Sequence, residues 1–242
     1  MESIKNKTIG EIVAKDYRTA SIFEKHSIDF CCNGDRNLLE ACESKNIDPN
    51  KLIDEIEHVQ QKTENALPDF QSWPLDLLAD YIEKKHHRYV EEKMPVLKEY
   101  LEKISQVHGD KHSELYEIVK LFNASAGELA AHMKKEEFIL FPYIRKMIKA
   151  QQNGVQTGKP YFDTVENPIQ TMMQEHDNEG VRFREISKLS NEYTPPEDAC
   201  QTYRVSYATL KEFEDDLHLH IHLENNILFP KAIAMEKELA YE

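Results

Sequence analysis

Two stretches of the chain repeat one spacing of histidine and glutamate. The first is His132-Met-Lys-Lys-Glu136-Glu-Phe-Ile-Leu140-Phe141-Pro142, the second His220-Ile-His-Leu-Glu224-Asn-Asn-Ile-Leu228-Phe229-Pro230. Both read H-x-x-x-E-x-x-x-L-F-P. On a helix, residues four apart share a face, so each stretch sets an imidazole beside a carboxylate. Those groups bind iron, manganese or zinc. One H-x-x-x-E is an ordinary solvated pair. Two in the same frame point to metal, and the frame extends backwards: His87 precedes His132 by 45 residues and His176 precedes His220 by 44.

The elements that must position these residues are helices. Gly is scarce, at 7 residues, and no run alternates as a strand would. From Pro74 the apolar spacing predicts four long helices. The first runs from about Pro74 to about Val107 on Leu75, Leu78, Ile82, Val90, Met94, Leu97, Leu101 and Ile104, with a kink expected at Pro95. By phase alone, His86 and His87 both fit its inner face. The second, about 112–150, carries Leu115, Ile118, Phe122, Ser125, Leu129, His132, Glu136, Ile139, Tyr143 and Met147 in one stripe. His132 and Glu136 therefore face the core, where an unpaired carboxylate is costly. The third helix is expected to start at Asn167-Pro168, cap plus proline, with Ile169, Met172 or Met173, His176, Gly180, Phe183 and Ile186 inward. The fourth starts near Glu197, and its stripe of Tyr203, Ser206, Leu210, Phe213 and Leu217 leads to His220, Glu224 and Ile227. His218 and His222 lie about 200° from His220 around the helix and cannot share its face.

Hairpin register closes the set. His87 lies 22 residues before Gly109 and His132 lies 23 after it, so in an antiparallel pair they meet at one level. Two such hairpins make a four-helix bundle with four His and two Glu inside, the setting of di-metal sites. Two carboxylates can bridge two metals, leaving two imidazoles for each. With an oxo or hydroxo bridge each ion keeps an open position, which suits iron and small diatomic molecules. Closed zinc sites favour four ligands with Cys among them.

The fold class read from this pattern is all-α: residues 1–62 a small helical domain, 63–73 a linker, and 74–242 an antiparallel four-helix bundle. In the first unit Thr8 and Glu11 have capping-box spacing. Asn33-Gly34 marks a turn with Asp35 as the following cap, and Asp48-Pro49 opens another helix. The formal charge of −14 argues against binding nucleic acid or an anionic membrane. No apolar run approaches the roughly 18 residues of a span, and the first residues lack a signal-peptide core, so a cytoplasmic protein is expected. Four Cys do not make a secreted disulfide framework. Cys31 and Cys32 are adjacent and could close only a strained ring. Beside a turn and a helix start, a thiol is expected to have a lowered pKa, which makes them candidates for exchange with partner thiols, nitric oxide or iron. Cys42 and Cys200 read as packing residues.

Residues 74–236 resemble the hemerythrin-like domain of the iron-sulfur cluster repair di-iron proteins. The resemblance is carried by His87 eight residues before Pro95, by the two repeated stretches, and by His176 in Gln-Glu-His-Asp. Residues 1–62 resemble that family's N-terminal domain through Ile28-Asp-Phe-Cys-Cys-Asn-Gly34. The resemblance implies two iron ions held by His87, His132, His176 and His220, with Glu136 and Glu224 as bridging carboxylates. The family's spacing to Pro95 selects His87 over His86. Glu128 and Glu175 match glutamates that line the family's site. The implied function is repair of iron-sulfur clusters damaged by nitric oxide or oxidative stress, by supplying or exchanging labile iron. Its alternatives are a nitric oxide or peroxide reductase and an oxygen or nitric oxide sensor. The implied partners are damaged iron-sulfur proteins and nitric oxide or oxygen as small ligands, with a homodimer left open.

Overall fold

The computed structural model describes residues 4–61 and 68–241; the expected boundary between residues 62 and 63 lies outside the described residues. Helices α1 (Ile9–Lys15), α2 (Ala20–Lys25), α3 (Leu38–Lys45) and α4 (Pro49–Gln61) form the N-terminal unit. The Thr8–Glu11 capping box forms as the spacing predicts. The cap of α3 is Asn37, not Asp35: its side chain accepts from the Leu39 N–H at 2.9 Å. Asp48 caps α4 through the Asn50 N–H at 3.0 Å.

The bundle comprises α5 (Leu75–Tyr81), α6 (Arg88–His108), α7 (Glu114–Lys135), α8 (Phe141–Asn153), α9 (Glu166–Leu189), α10 (Gln201–Leu223) and α11 (Phe229–Tyr241). Wider π-helical turns join α5 to α6 (Ile82–His87), α7 to α8 (Glu136–Leu140) and α10 to α11 (Glu224–Leu228), so seven segments make four rods. The rods run antiparallel: His132 meets His176 while Ser125 meets Glu179, and His86 meets Asp216 while His108 meets Cys200.

Helix continues through Pro95, which sits on the exposed side where its lost ladder bond is least costly. Two local readings change. The third rod starts at Glu166; Asn167 is already helical, and its amide bonds back to the Phe162 carbonyl at 2.9 Å. After Glu136 the buried face moves by one residue, to Leu140 and Phe141 in place of Ile139.

That shift has a cause in the L-F-P ending. Pro142 and Pro230 have no N–H and would press on the carbonyl four residues back. The chain instead closes a bond across five residues, from the Phe141 N–H to the Glu136 carbonyl and from the Phe229 N–H to the Glu224 carbonyl. In a regular helix a residue five on points about 140° away. The wider turn brings each Phe round, so that Phe141 stacks on His87 at 5.7 Å and Phe229 on His176 at 5.9 Å.

The apolar core forms two clusters. One takes Val90, Leu97, Leu129, Met133, Phe183 and Leu217 together with Ile9, Phe23, Leu38 and Leu52 of the N-terminal unit. The other takes Leu78, Ile82, Leu140, Ile144, Ile169 and Leu228. On the four rods the clusters part at residues 82–90, 133–140, 172–183 and 221–223. The repeated histidines and glutamates fall at this level. The N-terminal unit shares its core with one end of the bundle, consistent with the marginal core of a domain of about 60 residues.

Candidate metal centre

All six residues singled out by the repeat come together here. Their donor atoms form two sets of four, each within 4.8 Å: His87, Glu136, His220 and Glu224 in one, and His132, Glu136, His176 and Glu224 in the other. The two glutamates belong to both. All six are buried, and both glutamates are 0% exposed. His87 Nε2 and His132 Nε2 each lie 3.3 Å from Glu136 Oε2. His176 Nε2 lies 3.2 Å from Glu224 Oε2, and His220 Nε2 lies 3.2 Å from Glu224 Oε1.

These contacts are close but are not hydrogen bonds. Both oxygens of Glu136 and of Glu224, with His87 Nε2 and both ring nitrogens of His220, have no hydrogen-bond partner. The donors aim at shared points, not at one another. Buried carboxylates without partners are costly, and a cation at each point would satisfy them. A metal ion therefore fits this donor set better than a self-paired core does.

The outer partners fix the rings. His87 Nδ1 lies 3.0 Å from Glu137 Oε1, and His132 Nδ1 lies 2.8 Å from Glu175 Oε2. An ionised carboxylate only accepts, so each Nδ1 carries the proton and each Nε2 faces inward, the ring atom that could ligate a metal. His176 Nδ1 meets Asn225 Oδ1 at 2.8 Å. His220 has His86 instead, its ring stacked at 5.6 Å. His86 is buried too, its Nδ1 3.1 Å from Asp216 Oδ2, and it lies outside both sets of four.

The electrostatics match. Burial opposes charge on His132, but Glu136 and Glu175 outweigh it and push its pKa up to about 10. His132 Nε2 lies 3.0 Å from His176 Nε2. Burial and Glu224 push the Glu136 carboxyl up, but His132 and His87 prevail and hold it below its ordinary value. Burial opposes charge on Glu224 as well, and His220 with His176 hold it well below the usual carboxylate range. The His132 contact, against the cost of burial and with help from Lys135, draws Glu175 down to about 2.

The remaining candidates divide. Glu175 bonds to His132, whereas Glu128 pairs with Arg182 at 2.9 Å with its side chain 56% exposed. A buried glutamate that sequence reasoning missed, Glu179, accepts from Ser125 Oγ and also pairs with Arg182. Glu137 and Asn225 were missed as well. Both directly follow the glutamate of their stretch, so comparing the two copies at that place would have found them.

Cys31 is buried and Cys32 half-buried, with their sulfurs 3.6 Å apart. Asp29 Oδ1 accepts from both of their backbone N–H groups, at 3.2 and 3.0 Å. The Cys32 thiol donates to the His176 carbonyl at 3.4 Å. The expected lowering does not hold for Cys31: the hydrogen bond with Cys32, then burial, pushes its thiol well up. His218 and His222 face the N-terminal unit, against Phe30 at 6.0 and 5.9 Å. Cys42 packs in the core, but Cys200 does not: it is exposed, with His108 Nε2 3.2 Å from its sulfur. The reason is its place at the N-cap of α10, where the chain is extended and outside the buried stripe.

Residues 78–232 match the family model Hemerythrin, described as the hemerythrin HHE cation binding domain. Residues 5–60 match ScdA_N, Domain of Unknown function (DUF542). The chain is 35% identical over 232 residues to proteins named iron-sulfur cluster repair protein YtfE in Yersinia pseudotuberculosis and Yersinia pestis, covering 96% of this chain and 99% of each relative. No helix among the described residues is long and apolar enough to cross a membrane.

Proposed function

Since the chain belongs to the family of iron-sulfur cluster repair proteins with a hemerythrin-type cation-binding domain, we propose that its bundle holds two iron ions and supplies or exchanges that iron to restore damaged clusters. His87 and His220 would hold one ion and His132 and His176 the other, with Glu136 and Glu224, common to both donor sets, serving both. The observation that carries this reading is the pair of wholly buried glutamates whose four oxygens lack hydrogen-bond partners while four imidazoles surround them. The bound iron supplies an exchangeable cation able to take small ligands at an open position. An oxo or hydroxo group would complete the ligands of such a pair.

The chain's own groups do the rest. Glu137 and Glu175 hold the Nδ1 protons of His87 and His132, leaving each Nε2 lone pair for metal. The two apolar clusters keep bulk water from the layer between them. The clients are damaged iron-sulfur proteins, and the N-terminal unit, which carries the half-buried Cys32, is the part that meets them.

The test adds iron-loaded protein to an iron-sulfur enzyme inactivated by nitric oxide. Recovery should follow the iron supplied, chain for chain, and should be absent with a His132→Ala, Glu136→Gln variant. Equal recovery with that variant refutes repair by this centre. Consumption of many nitric oxide or peroxide molecules per chain without client recovery assigns a reductase instead.

A further inference from the structure

The two metal positions differ in what stands behind them. In the first stretch the residue after the glutamate is Glu137, which bonds to His87 Nδ1 and on its other side to Lys134 at 2.7 Å. In the second it is Asn225, which bonds to His176 Nδ1 at 2.8 Å and, through Nδ2, donates to the Cys31 carbonyl at 3.1 Å. One outer partner ends at a half-exposed lysine. The other ends at the cysteine loop of the N-terminal unit.

The Asn225 amide has a direction. The Cys31 carbonyl can only accept, so the NH2 group must face it and Oδ1 must face His176. His176 must then present Nδ1–H, which leaves its Nε2 lone pair for metal. If the Cys31 carbonyl moves away, the amide is free to turn over. An NH2 group facing His176 requires a bare Nδ1, hence a proton on Nε2, and that tautomer cannot ligate. The loop also touches α9, the rod that carries His176. Cys32 donates to the His176 carbonyl at 3.4 Å, and it sits where a Cβ on Gly180, one turn along, would come within 3.1 Å of its sulfur. Arg184, a further turn on, bonds to Asp29 at 2.9 Å.

We propose that Asn225 is a positioning residue through which the docked Cys31–Cys32 loop fixes His176 in its ligating tautomer, so that displacing the loop loosens the ion at His132 and His176 and spares the one at His87 and His220. This rests on the reading that the centre holds two irons. By linkage, metal at His176 steadies the loop as much as the loop steadies the metal.

Asn225→Asp separates the two roles: the carboxylate still accepts from His176 but cannot donate to Cys31. The experiment uses the full chain in a Cys200→Ser background, loaded with ferrous iron. Release to a chelator is followed before and after alkylation of Cys32. In the parent, one of two equal phases should quicken by about three- to tenfold, the worth of one buried hydrogen bond, with the other phase unchanged. In Asn225→Asp neither phase should respond. Equal quickening of both phases, or an Asn225→Asp variant that responds like the parent, overturns the proposal. If the parent binds fewer than two irons, the two-iron reading fails, and the metal-free protein then decides the matter for Asn225. There the His176 Nδ1 proton should exchange slowly by NMR in the parent and rapidly in Asn225→Leu. Slow exchange in both overturns the positioning role.

Discussion

Replacing Glu136 with Gln tests the shared bridge most directly. The substitution keeps the shape of a side chain that is 0% exposed and removes its charge. Because Glu136 belongs to both sets of four donors, both positions should lose iron together. His176 belongs to one set only, so His176→Ala should keep one ion of two. Iron at about one hundred times its dissociation constant stabilises the fold by roughly 2.7 kcal/mol. In a chain of this size each kcal/mol moves the Tm by about 2–4 °C, so two ions, at roughly 2.7 kcal/mol each, should raise that of the parent by about 11–22 °C. Glu136→Gln should show almost none of that rise, and His176→Ala about half. The assay is scanning calorimetry on metal-free and loaded protein beside metal analysis of the same samples. Two irons in Glu136→Gln with the full rise in Tm would refute the bridging role. One iron in Glu136→Gln would show that the carboxylate serves a single ion.

Further predictions follow from docking and exposure. A Cβ at Gly34 would come within 2.6 Å of both Asn226 Oδ1 and the Phe30 carbonyl, so Gly34→Ala should cost about 1–3 kcal/mol in urea unfolding. A Cβ at Gly127 meets nothing within 4 Å, so Gly127→Ala, in the interior of α7, should stabilise by up to about 1 kcal/mol. Among the four thiols, mass mapping should find Cys200 alkylated first, then Cys32, with Cys31 and Cys42 last; early labelling of Cys42 would contradict the packing described. His218 and Glu24 pair at 3.6 Å across the seam between the N-terminal unit and the bundle. Burial opposes charge on His218 but Glu24 and Glu214 raise its pKa above 6.5, so its contribution is full below that pH and is lost as pH rises through the raised value. Burial likewise opposes charge on Glu24 while His218 lowers it below 4.5, so its contribution is full above that pH and is lost as pH falls through the lowered value. The pair should therefore support docking best between about pH 4.5 and 6.5, and His218→Gln should flatten the decline in urea midpoint above that window.

The donor residues were legible because their spacing is set locally. His132 and Glu136 stay one α-helical turn apart, since the Glu136 N–H still bonds to the His132 carbonyl before the wider turn begins. The level at which the hairpins bring His87 and His176 into the layer follows from rise per residue, which sequence alone provides. Which face is buried beyond each glutamate was not legible, because it depends on the proline six residues on. The reading of Ile139 as buried assumed a constant 3.6-residue period, and Pro142 breaks that period within the site itself. The choice between His86 and His87 had the same difficulty, for a π-helical turn spans both and buries both. The separation into contacting rods shows which of them joins the glutamates and which stacks behind His220.

The two copies are alike in what would touch metal and unlike in what stands behind it. Phe141 and Phe229 stack on corresponding imidazoles, and the two wider turns start at corresponding glutamates. At the next residue the likeness ends, with a carboxylate in one copy and an amide in the other. A carboxylate accepts and can fix a ring by itself. An amide both accepts and donates, so it can fix a ring only in agreement with whatever its other end meets. In this protein that other end meets Cys31. Under the proposed role, a site that releases iron on contact with a client requires such a condition, and Asn225, between His176 and Cys31, is where the second copy would supply it.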